Sequence, residues 1–69
     1  MKISARNVIK GKVKSVVRDS VDSEIILGLS GGMEVVSIIS TKSADNLNLK
    51  VGDEVYAVIK ATNVMIATD

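Results

Sequence analysis

Between Asn7 and Val17 the apolar residues Ile9, Val13 and Val17 interleave with Lys10, Lys12 and Lys14, a period of two that predicts a strand with one wet face. Gly11 interrupts this run, and because a glycine inside a strand marks a bulge or a tight bend, the strand is expected to coil there. Arg18 to Ser20 reads as a turn. Ser23 to Leu29 and Met33 to Ile39 are β-branched, apolar runs separated by Ser30-Gly31-Gly32, which predicts a hairpin. From Ser40 to Leu47 the alternation is lost, and the hydroxyls of Ser40, Thr41 and Ser43 precede helix-tolerant residues, so one or two helical turns are expected. After a turn at Lys50 to Asp53, Val55, Ala57 and Ile59 alternate with Tyr56, Val58 and Lys60 as a fourth strand. Beyond the turn Ala61-Thr62-Asn63, Val64 to Ala67 predicts a short fifth strand. This order, over one domain spanning residues 1–69, predicts an all-β fold: a small five-stranded OB-like Greek-key barrel with one short helix between strands 3 and 4.

Composition adds a constraint on stability. The 69 residues are 46% hydrophobic but only 1% aromatic, so the apolar mass is aliphatic. Ordering such a chain costs on the order of 100 kcal/mol at about 1.5 kcal/mol per residue, and one small core only just offsets that. There is no Cys and no His, which removes disulfides, thiolate nucleophiles, imidazole bases and the usual zinc sites. Burial against further copies of the chain is the remaining remedy, so a homo-oligomer closed by symmetry is expected. The net charge of +1 provides no broad basic face for nucleic acid. No run approaches the 18 apolar residues of a membrane span, and MKISARNVIK has no signal-peptide core, so a cytoplasmic protein without a membrane partner is expected.

Three groups of hydrogen-bond donors stand out. Ser4-Ala5-Arg6-Asn7 places a hydroxyl, a guanidinium and an amide within four residues just before the first strand. Lys60 ends the fourth strand. Ser40, Thr41 and Ser43 lie at the strand-to-helix junction, where hydroxyls meet unpaired backbone N–H groups. Each group has an ordinary explanation, respectively a capped turn, a solvated edge charge that keeps the sheet from pairing with strangers, and an N-cap. None of the three groups contains Asp or Glu, the first to follow the last of them being Asp45, which suits a fully ionised oxyanion, an acceptor only. Each group alone is too small to desolvate a dianion, so a site needs contributions from distant strands or from more than one chain.

The ordered set Ser4-Ala5-Arg6-Asn7, Lys10-Gly11, Ile38-Ile39-Ser40, Gly52-Asp53-Glu54-Val55 and Val58-Ile59-Lys60-Ala61 resembles the molbindins, the small molybdate-binding Mop proteins built on a TOBE, OB-like domain. The resemblance runs over essentially the whole chain. It implies an OB-like barrel, a hexamer built as a trimer of dimers, and molybdate or tungstate held as the oxyanion at subunit interfaces, with no organic cofactor. By position it implies that Ser4 and Arg6 donate from one subunit and that Ser40 and Lys60 complete the site. Backbone N–H groups near Ala5 and Ala61 are implied helpers, and Ser43 either contacts the anion or caps the helix. Two positions depart from the family pattern: Val8 stands where relatives often have a polar residue, and Ala61 where many have Ser, which removes a hydroxyl. With no Walker motif and no helix-turn-helix beside it, the chain resembles the free-standing form, which implies intracellular storage or buffering of the anion.

Other classes fit less well. An OB-type module for single-stranded nucleic acid needs aromatic faces on which bases stack, and Tyr56 is the only ring in the chain. An enzyme would have to work with Asp, Glu, Lys, Ser or Tyr alone, and no paired carboxylates accompany a Ser or Lys in a recognisable order, so no catalysis is expected.

Overall fold

One long strand organises the molecule. In the computed structural model, which describes residues 1–69, β1 runs from Asn7 to Arg18. Its first half pairs antiparallel with β4 (Glu54–Ile59) and its second half with β2 (Asp22–Gly28), the two ladders overlapping at Lys12. β3 (Glu34–Ser40) pairs along the whole of β2, giving a four-stranded antiparallel sheet in the order β3-β2-β1-β4. A strand that changes partner half-way must bend, and β1 does so around Gly11 to Lys14. The register shifts between Val13 and Ser15, and Val13 exchanges backbone bonds with the turn before β4, donating to Asp53 O at 2.9 Å and accepting from Gly52 N at 2.8 Å.

Gly11 is buried at this bend because no side chain fits. A Cβ there would stand 2.9 Å from the carbonyl oxygen of Gly28 and 3.0 Å from Leu29 Cδ2. Gly11→Ala should therefore destabilise the fold by about 1–3 kcal/mol, the range for forced overpacking; urea unfolding measures it, and an unchanged midpoint would show that the bend gives way freely. The β2–β3 connection needs glycine for another reason, since Gly31 and Gly32 both have positive φ, at 82° and 83°. The short helix α1 (Thr41–Asn46) follows β3 directly and buries Ala44 completely.

Inside the curled sheet sit Val13, Ile25, Leu27 and Ala57, flanked by half-buried Val16, Val35, Ile39, Leu49 and Val55. Only 7 of 69 residues are buried, so a single chain has little core to offset its ordering. The apolar residues that β-patterning supplied are left outside instead: Val36 and Ile38 are 60% exposed, Met65 91% and Ile66 86%.

The expected β-β-β-α-β order holds through the fourth strand, and the fold is all-β with one short helix. The fifth strand is not formed. After a 3-10 turn at Ala61–Asn63, Val64 to Asp69 carry no regular structure and no ladder bond. A strand exists only by pairing, and this segment pairs with neither edge strand of its own sheet. The outer edges of β3 and β4 consequently stay open, so the sheet is curled but not closed into a barrel.

Candidate functional site

Asn7 and Ile59 form the last pair of the β1–β4 ladder, and beyond it the chain segments before β1 and after β4 part company. Between them opens a cleft of about 370 Å³ lined by Ile3, Ser4, Ala5, Arg6, Lys60, Ala61 and Thr62. Its mouth is set by one side chain: Asn7 Nδ2 donates to the carbonyl of Ile59 at 3.2 Å, tying the two walls where they diverge. The far wall is shaped by the 3-10 turn, in which Asn63 N donates to Lys60 O at 2.9 Å and swings Thr62 into the lining.

Ser4, Arg6, Lys60 and Thr62 can all donate hydrogen bonds, and none of them uses its side chain in a hydrogen bond or ion pair within the chain. No carboxylate lines the cleft. Of the seven other cations three are matched, Lys10 with Glu54 at 3.0 Å, Lys14 with Glu34 at 2.7 Å and Arg18 with Asp45 at 3.0 Å, while Lys2, Lys12, Lys42 and Lys50 form no ion pair. The hydrogen bond between Lys10 and Glu54 holds the Glu54 carboxyl below its ordinary value and raises the Lys10 ammonium above its own. Arg6 and Lys60 thus present two uncompensated positive charges beside two free hydroxyls. Such a set offers positive charge and donors to an anion and no carboxylate to a cation.

Ser40 and Ser43 are not in this cleft. They flank the first turn of α1, beside the Arg18 end of β1, while Ser4 and Lys60 lie at the Asn7 end. At about 3.3 Å per residue, the twelve-residue strand separates its ends by up to about 36 Å, comparable with the 37 Å length of the whole molecule. Within one chain neither Ser40 nor Ser43 lines the cleft. Ser40 is the helix N-cap: its Oγ accepts from Ser43 N at 3.0 Å and donates to Ser43 Oγ at 2.8 Å, leaving the Ser43 proton unclaimed. Thr41 anchors the same junction, its Oγ1 2.7 Å from the Oγ of fully buried Ser23. Ser40→Ala should cost about 1 kcal/mol through the lost cap, visible as a thermal midpoint lowered by about 4–8 °C in a domain of this size.

Sequence reasoning named every polar residue of the cleft except Thr62. The signal was present, a hydroxyl two residues after Lys60, but it stood inside a segment read only as a turn.

Residues 3–66 match the model of the TOBE domain. The chain belongs to the TOBE-domain family. Molybdenum-pterin-binding protein 3 of Clostridium pasteurianum is 52% identical over 66 residues, covering 96% of this chain and 97% of that protein. Among solved structures, a molybdate-binding protein from Sporomusa ovata superposes with a TM-score of 0.93 at 37% identity, covering 99% of this chain and all of the other. The cytoplasmic molybdate-binding protein ModG, solved with molybdate bound, superposes with a TM-score of 0.89 at 40% identity, covering 94% of this chain and 46% of ModG. This TOBE domain thus stands among proteins named for binding molybdate or molybdenum-pterin, and its curled sheet with one short helix is the architecture they share. No helix is long and apolar enough to cross a membrane.

Proposed function

We propose that this protein binds molybdate as the intact oxyanion, by charge-assisted hydrogen bonds and without covalent chemistry, at sites shared between copies of a homo-oligomer. One observation carries the reading: a carboxylate-free cleft holds a guanidinium, an ammonium and two hydroxyls that have no partner of their own. Arg6 and Lys60 neutralise the dianion, Ser4 orients it, and the backbone N–H groups of Ala5 and Ala61 assist. Ser40 and Ser43 complete the site from a second copy, since in one chain they lie at the opposite end of β1. The same assembly supplies what the single chain lacks. Val64 to Ala67 becomes the fifth strand, closing the barrel, when it finds a free edge in a neighbour, and the apolar groove lined by Ile25, Leu27, Ile39, Leu47, Leu49, Val55 and Val58 is covered.

A hexamer arranged as a trimer of dimers, acceptance of tungstate, and storage or buffering of the anion in the cytoplasm without enzymatic activity complete the proposal. They are supported by the resemblance to the molbindins and by the likeness to cytoplasmic ModG. Calorimetric titration with molybdate, with sulfate and phosphate as controls and the assembly mass recorded in parallel, tests the reading. Tight, selective uptake by an oligomer supports it; no uptake of any oxyanion, or tight uptake by a monomer, overturns it.

A further inference from the structure

The cleft contains one donor that none of the motif residues accounts for, and the geometry points to Thr62 as a direct ligand of the anion, its hydroxyl donating from the wall opposite Ser4. This inference rests on the oxyanion reading above and extends it. The near wall of the cleft supplies a hydroxyl, Ser4, and a cation, Arg6, from the segment before β1. On the far wall Lys60 supplies the matching cation, but the residue that follows it, Ala61, has no hydroxyl to give. Thr62 is the next residue along, and the 3-10 turn places it in the lining.

Three features separate this from a threonine that merely caps a turn. Its Oγ1 makes no hydrogen bond to the chain, although turn hydroxyls ordinarily bond to nearby backbone. The turn is held instead by backbone, through Asn63 N to Lys60 O at 2.9 Å and Val64 N to Ala61 O at 3.3 Å, so the hydroxyl is not needed to form it. Finally, the side chains it shares the cleft with include two unpaired cations and no carboxylate. A hydroxyl there finds its best partner in the bound anion. Two hydroxyls on opposite walls then address different oxygens of a tetrahedral ion, while the two cations between them balance its charge.

Thr62→Val keeps the shape and removes the hydroxyl; Thr62→Ser keeps the hydroxyl and trims the methyl. Each would be titrated calorimetrically with molybdate as the intact assembly, with mass and thermal midpoint recorded. The expected result is a 10- to 100-fold loss of affinity in Thr62→Val, the range for a hydrogen bond to a charged group. Affinity within a few-fold of the parent is expected in Thr62→Ser, with mass and midpoint unchanged in both. If the parent binds molybdate and Thr62→Val binds it equally well, the inference fails while the oxyanion reading stands. If the parent itself binds no molybdate, both fail together.

Discussion

Arg6→Ala and Lys60→Ala should each weaken molybdate binding by about 30- to 4,000-fold, the equivalent of about 2–5 kcal/mol for removing one partner of a desolvated charge pair. Binding a dianion requires stripping water from it, and that is favourable only when the protein returns both charge and hydrogen bonds. The cleft offers two positive charges, so losing either leaves half of the anion's charge unmatched. Neither side chain makes a contact that holds the fold together: both are exposed and outside every intrachain ion pair. The thermal midpoint of the ligand-free protein should therefore stay where it is, which separates loss of binding from loss of structure. Stabilisation by added molybdate, readily seen in the parent as a rising midpoint, should vanish in both variants. Calorimetry checks the affinity directly, and a parental constant in either variant would remove the cleft from consideration.

A charge placed in the C-terminal segment should abolish binding from a distance. In the single chain Ile66 is 86% exposed, so Ile66→Asp ought to be nearly silent there, within about 0.5 kcal/mol as for ordinary surface changes. If the segment instead pairs with and packs on a neighbour, the carboxylate is forced into an apolar contact and the assembly comes apart. With the shared site proposed above, the effect then spreads to the anion site, because the Ser40 and Ser43 contribution of the second copy is lost. Light scattering should show the oligomer replaced by monomer, and titration should show molybdate uptake lost although Ser4, Arg6, Lys60 and Thr62 are untouched. A monomer that binds as tightly as the parent would contradict the shared site.

How much of this was legible beforehand depended on whether the signal was local. Period-two alternation at Ile9 to Val17, the Gly31-Gly32 turn and the loss of alternation after Ser40 are properties of neighbouring residues, and the elements they predict lie where expected. The bend in β1 was foreshadowed by Gly11, although the register shift itself falls at Lys14, which no pattern marks. Val64 to Ala67 has the composition of a strand but pairs with neither open edge of its own sheet, and composition does not reveal where a partner is. In the site, Ser4, Arg6 and Lys60 were recognised by type, yet their convergence depends on the Asn7–Ile59 pair joining the first strand to the fourth across 52 positions of sequence. That Ser40 and Ser43 lie at the other end of β1 follows from topology, not from spacing. Thr62 was hidden by its turn, because a hydroxyl between Ala61 and Asn63 is ordinarily a local bonder.

Anomalous diffraction from molybdenum in crystals grown with molybdate would locate the bound ion itself. The expected peak lies in the cleft between Ser4-Ala5-Arg6 of one chain and its own Lys60 and Thr62, within hydrogen-bond reach of all four donors, with Ser40 or Ser43 of a second copy against the same ion. A peak elsewhere, for instance among Lys10, Lys12 and Lys14, or one in the cleft with no second copy near it, would contradict it.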